Sequence, residues 1–188
     1  MRLLLLCHGA TAATRAAAFP RDEPLQPAAA APTQRLAAAL PRVAAVCCGP
    51  ALACRQTAAA LGLDAAVEPG LGDWQSGRWA GLSLAEIQRQ EPAALGTWRY
   101  DPDAAPHGGE SLTALLERVG GWLHSLDGQD GPLLAITHAA VIRAALVRAI
   151  AATPASFWRI DVAPLAQMLL VGGGERWSLR ALGGAADG

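Results

Sequence analysis

Two histidines and an arginine follow short apolar runs, where chemistry tends to collect. His8 directly follows Arg2–Cys7, a run that reads as a buried strand, and Gly9 after it allows a sharp turn. His138 directly follows Pro132–Thr137, a second apolar run, and opens a helix. Arg55 falls in the early turns of a helix that follows a further strand. In a parallel sheet, sites gather at the carboxyl ends of the strands. Two imidazoles and a guanidinium delivered to one sheet edge make a plausible phosphate pocket. The arginine binds phosphate oxygens as a fork, and a helix N-terminus adds partial positive charge.

The elements needed to position them are legible as an alternation. Strands are predicted at Arg2–Cys7, Val43–Cys48, Ala65–Glu68, Pro132–Thr137, Gln167–Val171 and Trp177–Leu182. Helices are predicted at Thr33–Leu40, Ala51–Leu61, Leu84–Gln90, Ser111–Leu126 and Ala139–Ala151. Residues 10–31, with Pro20, Pro24 and Pro27, read as a long irregular surface segment. This order predicts an α/β three-layer sandwich, a mainly parallel sheet with helices on both faces. The 188 residues suit a single domain, 1–188, with a small lid-like insertion around 80–109. There, Trp98, Arg99 and Tyr100 are expected to shape the pocket mouth.

Composition narrows the function. A net charge of −1 gives no reason to expect nucleic acid as a partner, while a small anionic substrate remains open. The apolar start, Met1 to Cys7, is only about as long as a strand and stops at His8-Gly9, whereas a signal core needs roughly 7–15 apolar residues. No run reaches the ~18 residues of a membrane span, so no membrane partner and a cytoplasmic location are expected. Cys7, Cys47, Cys48 and Cys54 lack the paired spacing of a zinc site and read as reduced thiols.

Five short motifs give the pattern a family likeness. Leu6-Cys7-His8-Gly9-Ala10-Thr11 resembles the Leu-x-Arg-His-Gly-x-Thr signature of the histidine phosphatase superfamily, the phosphoglycerate mutase-like group. Cys48 to Ala58 resembles Ser-Ser-Pro-Leu-x-Arg-x-x-Gln-Thr-Ala, and Arg55 is taken as its arginine. Leu71 to Gly81 resembles Leu-x-Glu-x-x-x-Gly-x-Trp-Glu-Gly, His107 to Ser111 resembles Pro-Gly-Gly-Glu-Ser, and Thr137 to Arg143 resembles Ser-His-Gly-Gly-x-Ile-Arg. The order matches over nearly the whole chain. Its small size is similar to the small bacterial phosphatases, the α-ribazole phosphatase type included.

The resemblance implies a phosphomonoester hydrolase that acts on a small phosphorylated metabolite through a phosphohistidine. His8 is then the nucleophile. His138, Arg55 and Thr11 help hold the phosphoryl group, and Asp73 takes the place of the glutamic acid that protonates the leaving oxygen. Glu110 is a second candidate for that acid, with a helix N-terminal charge as the plainer reading. No metal or other cofactor is implied, and a homodimer is compatible with the pattern. Cys7 stands where the signature has arginine, and Arg15 and Arg21 are candidates to replace it. Ala80, Ala139 and Ala140 are further departures. The alternative function is therefore a catalytically weak or inactive phosphate-binding or regulatory relative. A phosphoglycerate mutase ranks third, because nothing in the sequence demands an acceptor site.

Overall fold

Strand β1 (Arg2–Cys7) buries every residue from Leu3 to Cys7, as a strand covered on both faces must. Its side chains alternate between two cores. Leu3, Leu5 and Cys7 join one cluster, Leu4 and Leu6 the other. Strand β4 (Pro132–Thr137) repeats the division, with Leu133 and Ala135 in the first cluster and Leu134 and Ile136 in the second. The computed structural model describes residues 1–174 and 176–183; Glu175 and residues 184–188, the end of the expected 1–188 domain, lie outside them.

The 6-stranded sheet has the order β3-β2-β4-β1-β5-β6. Strands β2 (Ala45–Cys48), β3 (Ala66–Val67), β4 and β1 run parallel. Strands β5 (Gln167–Gly173) and β6 (Arg176–Gly183) extend the β1 edge antiparallel. The first core is covered by α6 (Leu112–Ser125) and α7 (Ala139–Ala149). In α6, Leu112, Leu115, Leu116, Val119, Trp122 and Leu123 form a stripe at helical spacing. The second core is covered by α2 (Ala30–Ala37) and α3 (Leu52–Ala60). The arrangement is the expected three-layer α/β sandwich. Among the described residues no helix is long and apolar enough to cross a membrane.

Three local expectations need correction. Residues 10–31 are not wholly irregular. Thr11 caps a short helix, α1 (Ala12–Ala16), through a reciprocal pairing with Thr14. Helix α2 begins at Ala30, ahead of Pro32, because a proline in a first turn loses no helical hydrogen bond. A helix also runs through 92–100. After α4 (Leu84–Gln90), Pro92 opens α5 (Pro92–Tyr100) from the N1 position that suits proline.

Candidate functional site

The β1–β4 register sets the centre of the site. Cys7 is paired with Thr137, so the next residue of each strand, His8 and His138, emerge side by side. The His8 N–H donates to the Thr137 carbonyl at 2.9 Å. Both imidazoles are buried, and their rings meet edge to face with centroids 4.9 Å apart.

Hydrogen bonding selects the tautomer of each neutral ring. His8 Nδ1 lies 2.7 Å from the Gly9 carbonyl oxygen. A carbonyl can only accept, so Nδ1 is the donor, and in the neutral ring Nε2 keeps the lone pair. The Gly9 N–H donates to Thr57 Oγ1 at 3.0 Å, and the Thr57 hydroxyl donates to the Ala53 carbonyl at 2.7 Å, which pins the turn to α3. His138 Nδ1 faces Asp73 Oδ2 at 3.3 Å, close enough for charge attraction though not aligned as a hydrogen bond. His138 Nε2 meets the Cys54 thiol at 3.4 Å. A carboxylate opposite Nδ1 favours a proton there, so Nε2 accepts from the thiol. Burial raises the Cys54 pKa and so keeps it a thiol. Burial likewise pushes the His138 pKa down, against the opposing pull of Asp73.

Asp73 is placed by a rigid loop. A 3-10 turn, Pro69–Leu71, is capped by Glu68, and Thr137 Oγ1 donates to the Leu71 carbonyl at 2.8 Å. Gly49 makes the approach possible, since a Cβ there would lie 2.6 Å from the Leu71 oxygen. Arg118 binds the Gly70 and Gly72 carbonyls at 2.8 and 3.0 Å and the Asp73 carbonyl at 3.3 Å. Glu110 accepts both remaining contacts of that guanidinium, at 2.8 and 2.9 Å. Glu110 is therefore spent on holding Arg118, outside the residues that line the cleft. Its expected place as an alternative acid is corrected to that of a loop support.

Arg55 is not brought to the site. It is exposed on α3, while Ala53 lines the cleft two residues earlier, about 200° around the helix. The motif count agrees. Counting back from Gln56-Thr57-Ala58, the arginine of Ser-Ser-Pro-Leu-x-Arg falls on Ala53. Cys7 is 2% exposed and lies beneath the cleft, where burial pushes its thiol up to about 12. Thus two positions that hold arginine in the motifs carry small uncharged side chains here. Arg15 does not line the cleft and donates to Gln26 Oε1 at 3.3 Å. Arg21 lines the cleft, but donates to the Ala80 carbonyl at 3.3 Å. Thr11 lines it as well, with Oγ1 accepting the Thr14 N–H at 3.3 Å as the cap of α1.

The cleft above the two histidines has a volume of about 1410 Å³. Helices α4 and α5 supply one wall, and Trp98, Arg99 and Tyr100 line it as expected. Residues that sequence reasoning missed complete it. Trp74 and Trp98 stack with centroids 5.1 Å apart, and Trp98 meets Trp158 edge to face at 4.6 Å. The Arg99 guanidinium lies over the Trp158 ring, 4.4 Å from its centroid. Arg143 also lines the cleft. Its position was foreshadowed by helical spacing, because Ala139, Ala140 and Arg143 share one face of α7. No group of three or more potential metal ligands occurs among the described residues.

Comparison with known proteins is consistent with this geometry. A model described as the histidine phosphatase superfamily (branch 1) matches residues 3–184. A glucosyl-3-phosphoglycerate phosphatase of Mycolicibacterium vanbaalenii is 33% identical over 102 residues, 50% of this chain and 43% of that protein. The matched regions span under half the length of such curated relatives. Among solved structures, a mycobacterial glucosyl-3-phosphoglycerate phosphatase in complex with VO3 superposes with a TM-score of 0.86 at 24% identity, covering 97% of this chain and 98% of that one. An alpha-ribazole phosphatase from Shigella flexneri gives 0.85 at 23% identity, covering 100% and 98%. At these identities the two structures speak for the fold.

Proposed function

This chain belongs to the histidine phosphatase superfamily, branch 1, and from that premise we propose that it hydrolyses phosphomonoesters through a phosphohistidine on His8. The observation that carries the proposal is the His8–Gly9 contact. It holds the proton on Nδ1 and leaves the Nε2 lone pair free beside His138. Nε2 attacks phosphorus, forming an N–P bond as the ester P–O bond breaks. In the reacting form Asp73 takes up a proton from solvent and gives it to the leaving alkoxide. The Asp73 carboxylate then takes a proton from the water that attacks phosphorus, the N–P bond breaks, and phosphate departs. The Gly9 carbonyl offsets the positive charge that the ring gains on attack.

The substrate proposed is a small phosphorylated metabolite. Trp74, Trp98 and Trp158 give its alcohol an aromatic wall, which favours a ring over a short chain. The relatives' names, with glucosyl-3-phosphoglycerate and alpha-ribazole-5'-P as substrates, agree with such a class. The test is turnover of a panel of phosphomonoesters by the pure protein, with His8→Ala as control. Release of phosphate by the wild type and none by the variant is the expected result.

A second reading rests on a specific observation. Cys7 and Ala53 occupy the two motif positions that hold arginine, which points to a weak phosphatase or a phosphate-binding relative. Vanadate binding without turnover of any ester in the panel would favour it.

A further inference from the structure

The proposed chemistry needs a guanidinium near the transferring phosphoryl group, and neither motif position supplies one. We propose that Arg143 grips the phosphoryl group in place of the arginines absent at Cys7 and Ala53. The proposal rests on the phosphatase reading above and adds a residue to it.

Geometry singles Arg143 out by its neighbours. It lies in α7, the helix that opens at His138, and lines the cleft together with His8, Asp73, His138, Ala139 and Ala140. Long side chains on a helix point back toward its N-terminus. Here that direction runs over the small Ala139 and Ala140 toward the ends of β1 and β4. Its field reaches Cys7, so the charge sits near the place vacated by the signature arginine.

The other arginines of the region are committed or remote. Arg118 is saturated by Glu110 and three loop carbonyls. Arg99 is stacked on Trp158, and Arg21 donates to Ala80. Arg55 and Arg15 lie outside the cleft lining, and Arg159 is exposed on the rim. Arg143 is held more loosely, its guanidinium carbon 5.8 Å from the Phe157 ring centroid. Its Nε is buried with no hydrogen-bond partner, and its nearest acid, the fully exposed Asp161, stands 3.8 Å away. The side chain as a whole is 28% exposed, so the outer part of the guanidinium is open to a ligand in the cleft while its buried Nε–H goes unpaired at a cost. Phosphate oxygens bind a guanidinium as a fork.

The experiment compares wild type, Arg143→Met, Ala53→Arg and Arg143→Met/Ala53→Arg on p-nitrophenyl phosphate, with orthovanadate binding measured by calorimetry. Methionine keeps an unbranched stem but removes the guanidinium and its contact with Phe157, so thermal melts check each variant's fold. Loss of one positioned donor costs about a hundredfold or more. Arg143→Met should therefore lose about 100-fold in kcat/KM and weaken vanadate binding at least tenfold. Ala53→Arg projects into the same cleft and should recover at least tenfold in that background. The gain from Ala53→Arg should be larger in the Arg143→Met background than in the wild type; an equal gain in both would make Arg143 merely structural. If the wild type turns over or binds vanadate and folded Arg143→Met matches it within threefold, Arg143 is not the phosphoryl ligand and the phosphatase reading stands. If the wild type neither turns over nor binds vanadate, both fall together.

Discussion

Cys7 and Thr137 are register partners at the ends of adjacent parallel strands, and this one pairing makes neighbours of His8 and His138. The two imidazoles are 130 residues apart in the chain, yet their centroids are 4.9 Å apart. They are also unlike in environment. His8 gives its Nδ1 proton to a carbonyl oxygen and keeps a lone pair on Nε2. His138 uses Nε2 against a thiol and presents Nδ1 to a carboxylate. One ring is set up to attack, and the other is held between a thiol and a carboxylate.

Replacing His8 by alanine should therefore abolish phosphate release on every substrate that the wild type hydrolyses, at least ~10³-fold. It should also abolish an acid-labile, base-stable phosphoryl label on the quenched enzyme. The loss of label distinguishes the nucleophile from a residue that only binds. A His8→Ala protein that still labels would move the nucleophile elsewhere.

Asp73 should show its role through the leaving group. Asp73→Asn removes the proton donor while keeping the side chain's shape and the contact to the Trp74 N–H. An alkyl phosphate needs protonation of its leaving oxygen and should lose about 100-fold or more in kcat. p-Nitrophenyl phosphate, with a good leaving group, should lose about tenfold or less. Equal losses on both would make Asp73 a binding residue.

The strand ends were legible because hydrophobic runs are abrupt there. β1 and β4 are buried on both faces, so their sequences are continuous apolar runs that stop at a histidine. Arg55 was misread because helix phase, rather than proximity in sequence, decides which side chain enters a cleft. Ala53 faces the site and Arg55 faces solvent. The short α1 and α5 were hidden by prolines, which end helices in some positions and begin them in others. The salt bridge from Glu110 to Arg118 joins residues only eight apart, but its purpose is set by carbonyls at 70–73. Nothing local in sequence announces that partner.

That salt bridge yields a stability expectation. Glu110 is 10% exposed at its side chain and Arg118 25%, so the pair is only partly shielded. Glu110→Gln leaves Arg118 without its counter-charge and loosens the loop that carries Asp73. The cost should be about 2 kcal/mol, below the ~3–5 kcal/mol of a fully buried pair broken on one side. Chemical denaturation would measure it. Activity should also fall, mainly in kcat, because Asp73 shifts while the histidines stay in place. A variant as stable as wild type would show that the carbonyls alone hold Arg118.

Two buried histidines set how stability responds to acid. Burial lowers the His107 pKa, with Arg78 adding to the effect, and burial lowers that of His138. Both folded-state values lie below the unfolded 6.5. Below that pH the unfolded chain binds protons that the folded chain resists, so stability falls as pH drops from 6.5 toward the folded values. His107 has a clear structural reason to resist. Its Nδ1 accepts the Gly109 N–H at 2.9 Å, and protonation would replace that acceptor with a second donor. Its ring packs edge to face on Trp79, centroids 4.9 Å apart, with no partner for Nε2. His107→Asn keeps an acceptor within reach of Gly109 and cannot titrate. The expected outcome is a Tm that falls between pH 7.5 and pH 5.5 in the wild type and falls less steeply in His107→Asn. Because the smaller side chain leaves a void beside Trp79, the variant should be less stable at pH 7.5, and only the slope carries the test. Identical slopes in the two proteins would assign the acid sensitivity to His138 or to carboxylates instead.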